Sequence, residues 1–210
     1  LTIAERKVYN EVCNHEKELK VVKLQIREMI LISMFAALTA AGAFIKIPTP
    51  LVPFTLQFLF CAYSGIFLGA RNGLYSQLLY VGIGLLGIPI FANGGGPAYV
   101  LQPTFGYLIG FICCAYIVGS FVDKCKEITV YKTLGAVLVG LTTVYVIGVS
   151  YLYAIVNFYL QKQMAVSKAI AVGFLPYVTA DLIMSVIIAV SAVRVIPILQ
   201  KAGYSRRKGS

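Results

Sequence analysis

Acidic residues are scarce in this chain, and within its long apolar runs they are almost absent. Eight Asp and Glu stand against eighteen Lys and Arg in 210 residues, for a formal net charge of +10. Glu5, Glu11, Glu16, Glu18 and Glu28 fall before the first apolar run, and Asp123 and Glu127 fall in a hydrophilic connection. That leaves Asp181 as the single acid within an apolar run. A lone carboxylate is too little for paired acid and base chemistry. Histidine occurs once, as His15, and the five cysteines (Cys13, Cys61, Cys113, Cys114, Cys125) form no C-x-x-C pair, so neither a zinc centre nor a disulfide framework is expected. No G-x-x-x-x-G-K-[ST] string occurs, which excludes ATP hydrolysis through that loop. A membrane-embedded enzyme is therefore the weakest functional class, and no catalytic residue, metal or cofactor is expected.

What the chain does have is apolar surface. Its hydrophobic fraction is 59%, against roughly 45–50% in soluble domains. A helix crossing the hydrocarbon core needs about 20 mostly apolar residues. Six stretches are expected to qualify, at about 29–46, 54–70, 73–90, 104–122, 132–157 and 167–196. The second and third meet at Gly69, Ala70, Arg71, Asn72 and Gly73, which read as a tight charged turn. Barrel strands alternate apolar and polar residues, whereas these runs are continuously apolar. The expected fold is all-α: a polytopic membrane protein with six transmembrane helices.

The bases set the expected orientation, because cytoplasmic loops collect Lys and Arg. Fifteen fall on one side: Arg6, Lys7, Lys17, Lys20, Lys23, Arg27, Arg71, Lys124, Lys126, Lys132, Arg194, Lys201, Arg206, Arg207 and Lys208. Lys46, Lys162 and Lys168 alone fall on the other. Both termini are thus expected in the cytoplasm. Topology accounts for the positive charge, so the expected partner is the lipid bilayer and not nucleic acid. The organisation that follows is a cytoplasmic N-terminal segment (1–28), a six-helix membrane domain (29–196) and a basic cytoplasmic tail (197–210). Residues 1–28 carry many charges and no Gly or Pro, as in a charged helix. They lack the short apolar core and small-residue cleavage site of a signal peptide, so this segment is expected to be retained.

Four features within the membrane domain stand out. Asp181 is costly at membrane depth, so it is expected to face a cavity, a partner helix or a ligand, with Tyr177 and Ser185 on the same helical face. The stretch Phe91 to Pro103 is uncharged, and its three successive glycines, Gly94, Gly95 and Gly96, follow Asn93. A glycine run alone reads first as a flexible connector; the other reading is backbone that approaches a ligand, with the Asn93 amide offering a donor and an acceptor. The stretch Lys46 to Gln57 has prolines at 48, 50 and 53, and is either an ordinary helix-breaking turn or a stiff roof over a cavity with Gln57 reaching in. Ala36, Ala37, Ala40 and Ala41 make two overlapping Ala-x-x-x-Ala patterns, a surface on which helices pack closely.

The strings Pro-Thr-Pro-Leu-Val-Pro-Phe-Thr-Leu-Gln (48–57), Gly-Leu-Leu-Gly-Ile-Pro-Ile-Phe-Ala-Asn-Gly-Gly-Gly (84–96), Gln-Pro-Thr-Phe-Gly-Tyr-Leu-Ile-Gly-Phe (102–111) and Pro-Tyr-Val-Thr-Ala-Asp-Leu-Ile (176–183) closely resemble the BioY family. That family comprises the biotin-specific S components of energy-coupling-factor (ECF) transporters. The resemblance implies capture of biotin, as transported ligand, from the extracellular side, and association with a transmembrane coupling subunit and two ATPase subunits. It implies that Asn93 and Asp181 hydrogen-bond the ureido head group and that the Pro-rich loop covers the pocket. It also implies that Ala36, Ala37, Ala40 and Ala41 dock on the coupling subunit. A cyclic urea presents two N–H donors and one carbonyl, which suit a carboxylate and an amide. Tyr107, Phe105 and Tyr177 are the candidate wall residues.

The chain departs from the family pattern twice. Met184 stands where the family usually has Lys, three residues after the Asp, and Phe105 replaces a Gly in the Gly-Pro-Thr-Gly-Gly-Tyr string. These departures keep a second reading open, an S component for another vitamin or a biotin precursor. A purely structural membrane protein is the remaining class, in which Asp181→Asn would change no activity.

Overall fold

The computed structural model describes residues 25–47, 52–125 and 127–201. Most of the expected N-terminal segment and basic tail, together with Pro48, Thr49, Pro50 and Leu51, lie outside the described residues. Seven α-helices are found in that range: α1 (Gln25–Phe44), α2 (Gln57–Leu68), α3 (Ala70–Leu85), α4 (Phe105–Lys124), α5 (Val130–Ala154), α6 (Val166–Gly173) and α7 (Leu175–Lys201). A two-stranded hairpin, β1 (Lys46–Ile47) with β2 (Phe54–Thr55), joins α1 to α2. A 3-10 turn, Pro97–Leu101, precedes α4, and a π-helical turn, Ile155–Tyr159, extends α5.

Seven α-helices stand among the described residues, where six membrane-crossing stretches are expected. The stretch expected at 167–196 is two helices, because Pro176 has no N–H to continue the ladder from α6 and suits the first turn of a new helix. Four helices are long and apolar enough to cross a membrane, namely α1, α4, α5 with its π-turn, and α7. The short α2 and α3 are separated by one residue, Gly69, whose φ of +84° makes the one-residue link possible. Asp123, in the last turn of α4, accepts a hydrogen bond from the Ala70 N–H at 2.9 Å, where α3 has unpaired donors.

The core is built around α4, which packs against α5, α2 and α3. Close approach comes from small residues at the crossings. A Cβ at Gly110 would fall 2.8 Å from the Val144 Cα, and one at Gly65 would fall 2.5 Å from the Ala115 carbonyl oxygen. Outside this core the helices are greasy: Ile30, Phe44, Tyr131, Val146 and Phe158 are all more than half exposed. Apolar surface turned outward around a packed helical bundle is what a lipid-facing protein requires. Of the four alanines in the Ala-x-x-x-Ala patterns, Ala36 is buried and Ala40 half-buried, whereas Ala37 and Ala41 are exposed.

Candidate ligand pocket

One cavity is bounded by the hairpin, the turn before Pro97, and helices α2, α4, α5 and α7. It holds about 610 Å³ of empty space, its mouth included. Its walls are chiefly apolar and aromatic, with Phe58, Leu108, Phe111, Leu141 and Val144 among them, and its one charged lining residue is Asp181. A concave apolar pocket with a few convergent polar groups is the usual form of a small-molecule site.

The carboxylate is held, not loose. Asp181 is 8% exposed, and the Tyr145 hydroxyl on α5 donates to its Oδ2. Ser185, one turn on, donates to the Asp181 main-chain carbonyl at 2.7 Å. An acid carboxylate has acceptor capacity for more than one donor, so Tyr145 orients the group while leaving it able to accept from a ligand N–H. Tyr145 itself lines the cavity, and its ring meets Phe174 edge-on with centroids 4.8 Å apart.

The described residues of the hairpin form one wall of the cavity. Val52, Pro53, Phe54 and Thr55 line the cavity, and the strand pairing fixes Lys46 opposite Thr55 and Ile47 opposite Phe54. The Leu56 N–H donates to the Gly42 carbonyl at 3.1 Å, tying the hairpin to the end of α1. Gln57 braces it from beneath. Its Oε1 accepts from the Thr55 hydroxyl at 2.8 Å, and its Nε2 donates to the Tyr80 hydroxyl at 2.7 Å. Tyr80 in turn donates to the Ile90 carbonyl at 3.1 Å, and the Lys46 ammonium donates to the Ala92 carbonyl. The hairpin and the turn after α3 are therefore one hydrogen-bonded unit.

The sequence-predicted residues divide. Asp181, Gln57, Tyr107 and Tyr177 all line this cavity. Tyr107 offers its ring, since its hydroxyl is bonded to the Gly173 carbonyl at 2.8 Å. Phe105 is not among the lining residues; it packs on Tyr151 with ring centroids 5.9 Å apart. Asn93 is exposed at the tip of a turn closed by the Phe91–Gly94 bridge, and its neighbour Ala92 lines the cavity. Met184 is buried and also absent from the lining. Tyr145, Tyr99 and Thr104 were not anticipated as lining residues; a tyrosine in an apolar run carries no mark of its own until its partner is known.

Fold and cavity together define an integral helical membrane protein with a small-molecule pocket and no second charged group in it. The BioY family model matches residues 15–201, and the chain belongs to that family. It is similar to the probable biotin transporter BioY of Lysinibacillus sphaericus, with 47% identity across 83% of this chain and 89% of that protein. The biotin transporter BioY of Thermotoga maritima is 41% identical across 80% of this chain and 95% of its own length. The fold is shared with a crystal structure of the S-component for biotin from an ECF-type ABC transporter, at a TM-score of 0.73 and 22% identity over 83% of this chain and 93% of that one.

Proposed function

We propose that this protein is the substrate-binding subunit of an ECF-type transporter and captures biotin from the extracellular side for uptake. The observation that carries the reading is Asp181, a buried carboxylate oriented by Tyr145 in an otherwise uncharged pocket. Ureido N–H groups match that acceptor, and the aromatic walls match an apolar ring and chain. In this reading α6 is too short to cross, and the other six helices traverse the bilayer with both termini in the cytoplasm, as the distribution of bases requires. The transport energy comes from a coupling subunit and two ATPase subunits, since the chain has no phosphate-binding loop. Ala37 and Ala41 give the exposed half of the small-residue surface on which that subunit docks, and no cofactor takes part.

Calorimetry on the detergent-purified protein tests the reading directly. Saturable binding of biotin at one site per chain is expected; a folded protein that shows no saturable biotin binding would sink it. Tyr145→Phe removes the donor that orients Asp181. It is expected to weaken biotin by about tenfold, the scale of one hydrogen bond to a charged group. Unchanged affinity in that variant would mean that the carboxylate is placed without Tyr145.

One observation favours a second ligand of the same type. No Lys or Arg lines the cavity, so a neutral or precursor molecule with the same head group meets no penalty there. A competition panel against labelled biotin separates the two.

A further inference from the structure

The cavity poses a charge problem for any ligand that carries a carboxylate at neutral pH. Its one charged lining residue is Asp181, and no Lys or Arg lines it. An anionic tail placed deep in this pocket would meet an apolar wall and a like charge, which is unfavourable at low dielectric. The tail is therefore accommodated at the mouth, beside a cation if one stands there.

Lys46 stands there. It is paired across the hairpin with Thr55, which lines the cavity, and its ammonium bonds the carbonyl of Ala92, which also lines the cavity. The residue is exposed. Among the described residues Ala92 takes one of the three N–H donors of this ammonium, and a carboxylate takes such donors readily. The position is also well fixed, because the Leu56 N–H ties the hairpin to Gly42 and the Gln57–Tyr80 pair ties it to Ile90.

We infer that Lys46 is the carboxylate-recognition residue of this pocket, reading the acid end of the ligand at the rim while Asp181 reads the N–H end inside. The assignment rests on the biotin-binding reading and adds a specificity: the acid form is preferred over neutral derivatives by a rim charge, and the preference is salt-sensitive.

Paired titrations of biotin and biotinamide into the purified full chain, at low and at high salt, test this. The wild type is expected to prefer the acid by about fivefold at low salt, the scale of an exposed ion pair, with the preference shrinking as salt is raised. Lys46→Gln keeps a donor for the Ala92 carbonyl but not the charge, and its acid-to-amide preference is expected to fall to about one. Lys46→Arg keeps the preference. If Lys46 only fastens the hairpin, Lys46→Gln shifts acid and amide together and their ratio stays at the wild-type value, which overturns the assignment. A wild type with equal affinity for both ligands overturns it as well. A folded wild type that binds neither ligand removes the biotin reading itself, and the role of Lys46 with it.

Discussion

Asp181→Asn is expected to lower biotin affinity by about thirtyfold, or about 2 kcal/mol, while leaving the fold intact. The carboxylate is the one charged group in the pocket wall, and a hydrogen bond to a charged acceptor is worth more than one between neutral groups. Asparagine is nearly the same shape. Its carbonyl oxygen still accepts from the Tyr145 hydroxyl, so the contact between α5 and α7 persists. What disappears is the negative charge facing the ligand, and the amide's own N–H groups now oppose ligand donors. Isothermal titration with wild type and variant measures the loss, and the thermal unfolding midpoint of each guards against misfolding. An affinity within about twofold of wild type would show that ligand recognition lies elsewhere in the cavity.

Asp181 was legible in the sequence because charge within an apolar run is rare and expensive, so its mere presence is informative. Tyr145 was not, since a tyrosine one turn from Leu141 on a helix of Val, Leu and Gly reads as wall or lipid face alike. Only the approach of α5 to α7 reveals its role. Phe105 is the opposite case, absent from the cavity lining. It stands two residues from Tyr107 on α4, a rotation of about 200°, so the two side chains leave the helix on different faces. Gln57 lines the cavity, yet its amide is already shared between Thr55 and Tyr80, which makes it a brace of the hairpin. Continuous apolar runs gave α1, α4 and α5 to within a few residues. The division of the last run was missed, although Pro176 marks it, because apolar content is blind to a missing N–H.

The largest effect on stability is expected from one added methyl group. Gly119 lies where α4 crosses the link between α2 and α3, and a Cβ built there would sit 2.4 Å from the Ala70 N, 2.5 Å from its Cα and 2.6 Å from the Gly69 carbonyl carbon. All three are backbone atoms, so no side-chain rotamer can relieve the contact. Nor can the link itself move easily. Gly69 holds a left-handed conformation and Asp123, on the same turn of α4 as Gly119, is bonded to the Ala70 N–H. Gly119→Ala is thus expected to cost about 3 kcal/mol, the upper part of the range for overpacking, and to lower the unfolding midpoint in detergent by roughly 10 °C. Gly135→Ala makes the same chemical change on α5 at a position where the new Cβ meets nothing within 4 Å beyond its own stretch of helix. There the gain in helix propensity acts alone, and the midpoint is expected to hold or rise. If both substitutions are tolerated equally, α4 can slide on the α2–α3 link and the close crossing does not set the shape of the pocket; if only Gly119→Ala fails, the glycine is what brings Phe111 and Leu108 of α4 near enough to form its wall.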